Sequence, residues 1–179
     1  VERLADQLDQ GLFLEGETFE RALENVRAEF VALPARPASH AGGAYPGERR
    51  ELAEYIDHSC FDAAGPRKKA AGRIRALVSP HIDPWRGAVG YGHAYGALAA
   101  SLDERADTFV LLGTSHAPMR EPFALCRKGY DTPLGVMPVD EAFLAELAAA
   151  SDFDPYADEL NHKREHSIEF QAVFLRHVL

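Results

Sequence analysis

Two cysteines, two methionines and one tryptophan are spread over 179 residues. Cys60 and Cys126 are too few and too far apart for a disulfide framework or a zinc knuckle, so both read as small buried apolar residues. No apolar run approaches the roughly 20 residues that a membrane helix needs, and no charged-then-apolar leader opens the chain. The expectation is a soluble, cytoplasmic protein with no membrane partner. Basic residues are also scarce: 19 Lys and Arg stand against 28 Asp and Glu, a net charge of −9, and the basic runs Arg49-Arg50 and Arg67-Lys68-Lys69 are short. Nucleic acid is therefore excluded as a main partner. What remains is a globular composition, 46% hydrophobic and 26% charged, in a length that suits one domain and a short appendage. Because the chain opens at Val1 rather than Met and stops at Leu179 inside a helical pattern, it is expected to be a fragment at both ends.

The appendage is expected over residues 1–36. Phe19, Ala22, Leu23, Val26 and Phe30 recur at helical spacing after Thr18, an N-cap residue type, and Leu4, Leu8 and Leu12 precede them. Prolines and glycines between Leu33 and Pro46 break regular structure, placing a domain boundary near Pro37 and a second domain over 37–179. Within it the pattern predicts helices over 48–60, 88–102 and 141–150, the last capped by Asp140, and another from His166 onward. Alternation in Arg73–Ser79 and the continuous apolar run Thr108–Leu112 predict two strands, the second buried on both faces, and Phe123–Cys126 a third. Strand, helix, strand is a βαβ unit, so the expected fold class is α/β with a mostly parallel central sheet and flanking helices. Gly90, Gly92 and Gly96 in the intervening helix suggest close packing against another backbone, not a phosphate-binding loop.

His81 and His116 each follow one of the predicted strands, at the carboxyl edge where open α/β sheets bind ligands. On adjacent strands the two imidazoles could share a metal at about 2.0–2.1 Å. The alternative is that each caps a strand end and bonds a loop carbonyl. Trp85 could stack a substrate or cover a core edge, and His93 could face either cleft or sheet.

The resemblance becomes specific at these residues. Ser79-Pro80-His81, Gly92-His93-Ala94-Tyr95 and Gly113-Thr114-Ser115-His116 are flanked by His40-Ala41-Gly42-Gly43-Ala44-Tyr45, Thr132-Pro133-Leu134-Gly135 and Glu165-His166-Ser167-Ile168-Glu169. In this order the elements resemble those of the Memo family, also called AmmeMemoRadiSam system protein B, over about Pro37–Leu179. The resemblance implies a LigB-like three-layer fold shared with class III extradiol dioxygenases, incomplete at its C-terminal end. It implies His81 and His116 as ligands of a non-haem Fe(II), or of another divalent metal such as Zn, with a third ligand outside this chain. His40, His166 and Glu169 would be catalytic cleft residues, His166 as general acid or base with Glu169 orienting it. Tyr45, Asp83, Trp85 and Ser115 would meet substrate. The functional expectation is a dioxygenase-like oxidoreductase of unknown substrate. Its rival is a non-catalytic peptide- or protein-binding module in a modification system with AMMECR-type and radical-SAM partners.

A minor alternative is a zinc hydrolase, since His162-Lys163-Arg164-Glu165-His166 fits the H-x-x-E-H pattern. Three fixed positions are weakly specific. No downstream carboxylate ligand is identifiable, and the helix is expected to start near His166, not before His162.

Overall fold

The computed structural model describes residues 2–102, 106 and 108–179. It divides into two compact units, Val1–Pro34 and Ala35–Leu179. The first is a helical pair, α1 (Glu2–Gln10) and α2 (Glu17–Ala32). The Thr18 hydroxyl donates to the Asp9 carboxylate at 2.6 Å, fastening the start of α2 to the end of α1.

In the second unit, α3 (Arg49–Glu54) runs into a π-helical stretch, Tyr55–Asp62. It is followed by α4 (Pro84–Ser101), α5 (Glu141–Ala150), a 3-10 turn (Glu159–Lys163) and α6 (His166–Val178). Each longer helix begins on a side-chain acceptor that satisfies an otherwise orphaned N–H. Asp83 accepts from Arg86 N, with Pro84 opening the helix, Asp140 accepts from Phe143 N, and Glu165 accepts from Ser167 N.

The core lies where α4 packs between the π-helical stretch and α6. Tyr91 stacks on Phe174 with ring centroids 4.3 Å apart, and Tyr95 reaches the same ring at 5.4 Å. Leu52, Ile56, Phe61, Phe170 and Val173 close around them, all buried. Cys60 and Cys126 are free and buried, and burial pushes the Cys60 thiol up to about 12 and the Cys126 thiol up to about 11. Gly92 sets the closeness of this packing, because a Cβ there would lie 2.0 Å from the Cys60 carbonyl oxygen.

The expected α/β fold with a mostly parallel central sheet is not found. Among the described residues, β-type pairing is limited to isolated bridges, Arg36 to Tyr130, Ala41 to Tyr45 and Tyr130 to Met137. The segments 73–79, 108–112 and 123–126, expected as strands, join no ladder. The physical reason lies in what covers them. Segments 69–81 and 108–114 line a cavity of about 910 Å³ instead of pairing, together with Tyr95 and Leu98 of α4 and Gln171 and Leu175 of α6. Val78 is 94% exposed and Leu112 81%, so the apolar run that reads as buried on both faces is not.

The Gly92 contact makes the first expectation concrete. Gly92→Ala should lower stability in urea unfolding by about 1–3 kcal/mol, the usual cost of overpacking. Gly72→Ala, where a Cβ meets nothing within 4 Å, should stay within about 0.5 kcal/mol of the parent.

Candidate metal centre

The loop after segment 73–79, the loop after 108–113 and the first residue of α6 bring His81, His116 and His166 together. One nitrogen from each lies within 4.8 Å of the others, an arrangement that can hold a metal ion. His81 Nε2 and His116 Nε2 are 3.1 Å apart. Two imidazole nitrogens sharing a tetrahedral ion at about 2.0–2.1 Å would lie roughly 3.3 Å apart. His166 stacks on His116 at 4.6 Å between ring centroids and meets His81 edge-on at 4.9 Å. Burial, reinforced by the neighbouring His116, His81 and His40 rings, lowers the His166 pKa against the pull of Glu165. Its neutral form, the one that ligates metal, is thereby favoured.

A carboxylate stands behind this cluster. Glu165 accepts from His116 Nδ1 at 3.0 Å, from His116 N at 2.9 Å and from Ser167 N at 2.9 Å. Burial opposes its ionisation, but the Ser167 and His116 backbone bonds and the His116 ring prevail and hold the carboxyl down at about 2. The Ser167 hydroxyl adds a second fastening, accepting from Thr114 N at 3.1 Å and donating to Thr114 O at 3.0 Å. Gly113 permits the approach, since a Cβ would fall 2.5 Å from the Ser167 hydroxyl.

One helical turn further on, Glu169 is fully buried and collects a second set of groups. His40 Nδ1 bonds it at 2.8 Å, His40 N at 2.9 Å and the Ser39 hydroxyl at 3.1 Å, together with the Tyr45 hydroxyl and the Arg36 guanidinium. Glu169 therefore orients His40, not His166. Its carboxyl lies below the usual range: burial works to raise it, and Arg36, His40 and Tyr45 outweigh that. Arg36, which the sequence reading did not single out, is as buried as its partner. Its remaining N–H groups donate to the carbonyls of His162 at 2.8 Å, Glu165 at 2.7 Å and Pro37 at 2.6 Å. Its backbone bridges Gly129 and Asp131, just before the tight Thr132–Gly135 turn, where Gly135 takes φ +115. No sequence spacing signals a pair 133 residues apart. The usable signal is the carboxylate itself, which on an apolar helix face requires a cation.

The residues expected to meet substrate divide. Trp85 and Asp83 line a pocket of about 550 Å³ with Ser39, His40 and the Ala41–Ala44 loop. Trp85 is edge-on to Tyr55 at 4.7 Å and donates its indole N–H to Gly43 O at 2.8 Å, leaving the ring 47% exposed. Asp83 is engaged in capping α4 and pairing with Arg86, whose side-chain bond leads in lowering its pKa. Tyr45 is buried, its hydroxyl pKa raised by burial and then by Glu169, so it braces Glu169 and does not line the pocket. The Ser115 hydroxyl donates to Ala117 O at 2.8 Å. His93 is exposed on α4.

His162 stands apart from the cluster. Tyr130 OH lies 2.8 Å from its Nδ1 and Ala124 O lies 3.0 Å from its Nε2, so Nε2–H donates to the carbonyl, and burial lowers the ring's pKa, which favours the form whose Nδ1 accepts. With both nitrogens committed and the residue on the 3-10 turn before α6, H-x-x-E-H does not present two histidines on one helical face.

Three imidazoles with a carboxylate behind one of them define a candidate metalloprotein site on a largely helical scaffold. The sequence profile of the Memo-like protein family matches residues 36–179, and the chain belongs to that family. It is 33% identical over 178 residues to a MEMO1 family protein of Aquifex aeolicus, covering 99% of this chain and 46% of the relative. A MEMO1 family protein of Thermus thermophilus is 29% identical over 178 residues, 98% of this chain and 52% of its own length. The Protein memo-1 homolog of Caenorhabditis elegans is 36% identical over 146 residues, 80% of this chain and 39% of its own. The chain thus spans about half the length of these relatives or less. No solved structure matches it. No helix among the described residues is long and apolar enough to cross a membrane.

Removing one member of the buried pair strands the other. Glu169→Ala or Arg36→Ala should each cost about 3–5 kcal/mol in urea unfolding at neutral pH. Because the folded pKa of Glu169 is depressed, its contribution is present in full above the unfolded value of about 4.3. It fades as pH falls through the lower folded value. The stability gap between wild type and Glu169→Gln should accordingly be widest near neutrality and narrow in acid.

Proposed function

We propose that His81, His116 and His166 bind one divalent transition-metal ion, Fe(II) or Zn(II), and that the site serves an oxidoreductase of the dioxygenase-like kind. The observation that carries the reading is the convergence of two imidazole Nε2 atoms to 3.1 Å with a third imidazole in the same cluster. The donor set fits: neutral imidazoles suit iron and zinc, and three of them leave positions open for other ligands. His166 takes the place of a third ligand that would otherwise have to come from elsewhere. When bound, the ion supplies Lewis acidity and, as Fe(II), positions for O2 and an oxygen-bearing substrate.

The protein's own part is positioning and proton handling. Glu169 accepts a hydrogen bond from His40 Nδ1–H, which leaves Nε2 as the imidazole's acceptor. His40 lines the 550 Å³ pocket and lies 5.8 Å from the His166 ring. It is placed to take a proton from a substrate seated there, with the Trp85 ring and the Ala41–Ala44 loop receiving the apolar body.

Titration with Fe(II) under anaerobic conditions, and separately with Zn(II), should give one ion per chain. His81→Ala, His116→Ala and His166→Ala should each weaken binding about tenfold or more, ~1.4 kcal/mol, whereas His162→Gln should not. Unchanged affinity in His166→Ala would remove that residue from the site. If the iron-loaded protein consumes no O2 with catechol-type compounds, the oxidoreductase part of the reading fails.

A further inference from the structure

The bond network at the start of α6 assigns a job to a residue outside the ligand cluster. We propose that Glu165 is the positioning residue of the metal site: it holds the His116 ring with Nδ1 protonated and Nε2 presented to the ion, and locks the His116 loop to the helix that carries His166. The inference rests on the metal reading given above.

Three observations converge on Glu165. First, an ionised carboxylate only accepts hydrogen bonds, so the nitrogen facing it must carry the proton. Both Glu165 oxygens lie within 3.1 Å of His116 Nδ1, and His116 Nε2 is therefore the nitrogen with the free lone pair, the one 3.1 Å from His81. Ligating histidines commonly have such a partner on the second nitrogen, and its loss typically costs 10–100-fold in metal affinity. Second, the same carboxylate bonds His116 N and Ser167 N, so one side chain holds the main chain both in the His116 loop and at the start of α6. Third, Glu165 itself has little freedom. It is 9% exposed, and its carbonyl accepts from the buried Arg36. Because His166 is the next residue, anything that fixes Glu165 fixes the spacing between two of the three imidazoles.

The roles of the two carboxylates on this helix differ. Glu169 serves His40, on the pocket side, whereas Glu165 serves His116, inside the cluster. A purely structural cap would need the Ser167 N bond alone. The two oxygens on the ring nitrogen go beyond that requirement.

The test uses the 179-residue chain, with Zn(II) and Co(II) alone as probes. Glu165→Gln places an amide N–H against donors, and Glu165→Ala removes the acceptor. Each should lower Zn(II) affinity about 10–100-fold and alter the visible Co(II) absorption, which reports coordination geometry. Glu165→Asp should recover part of both. Ser167→Ala loosens the same junction without touching the ring, so it should lower the melting temperature yet keep the wild-type Co(II) spectrum. Nitrogen-15 NMR of the metal-free chain at pH 8.5 gives a readout independent of metal and of thermal stability. His116 should carry its proton on Nδ1 in the wild type and lose that preference in Glu165→Gln. Wild-type affinity and spectrum in folded Glu165→Gln, or equal spectral changes in Ser167→Ala, would overturn the proposal. So would a His116 tautomer indifferent to residue 165. A wild type that binds no ion but keeps the Nδ1–H tautomer would sink the metal reading while leaving the orientation in place.

Discussion

A cation and an anion, both withdrawn from water, hold this site together. Leaving either Arg36 or Glu169 alone in the interior would be prohibitively costly, so each fixes the other, and each then dictates where several further groups must lie. Arg36 spends its donors on carbonyls at Pro37, His162 and Glu165, while Glu169 gathers the Ser39, His40 and Tyr45 groups. The segment that opens the second unit is thereby joined to the one that closes it. The position of the α6 N-terminus, and with it the placing of His166, follows from that junction.

Glu165 and Glu169 are four residues apart, which places them about one turn apart along the start of a helix. Each holds one imidazole through Nδ1, His116 in one case and His40 in the other. The helical repeat thus sets the offset between a ring in the metal cluster and a ring that faces the pocket. It does so with backbone geometry, the least adjustable dimension available to a protein, and not with loop conformation. A short segment, Glu165–Glu169, is enough to encode both orientations once Arg36 has fixed its depth.

How much of this could be read from the chain follows from the range of each interaction. The helices were legible because their causes are local: periodicity places α2 and α6, and Asp140 caps α5 through a bond three residues away. Gly92 was legible as a packing residue because a glycine inside a helix has few other reasons to be there. The convergence of His81 with His116 was expected from two supposed strand ends, yet it occurs without the sheet, carried instead by the Glu165 and Ser167 bonds to α6. The strands failed as a prediction because an apolar run reports only that a segment seeks cover, and 108–112 lines a cavity and leaves Val110 and Leu112 exposed. Arg36 was invisible for the opposite reason: its partner lies 133 residues away, and nothing in its own neighbourhood encodes burial. His162 illustrates the hazard of short patterns, since a match to a ligand motif coexists with two ring nitrogens already spent on Tyr130 and Ala124.

The segments around Val78 and Leu112 bear on how the chain behaves in concentrated solution. Val78, Val110 and Leu112 turn apolar surface outward beside backbone that no ladder occupies, a combination that favours edge-to-edge association. Against this stands a net charge of −9, which keeps copies apart by repulsion extending over about a Debye length. Added sodium chloride shortens that range, and sulfate additionally strengthens contacts between apolar surfaces. Both effects push the same way, so the repulsion that separates copies is strongest in dilute buffer above the isoelectric point.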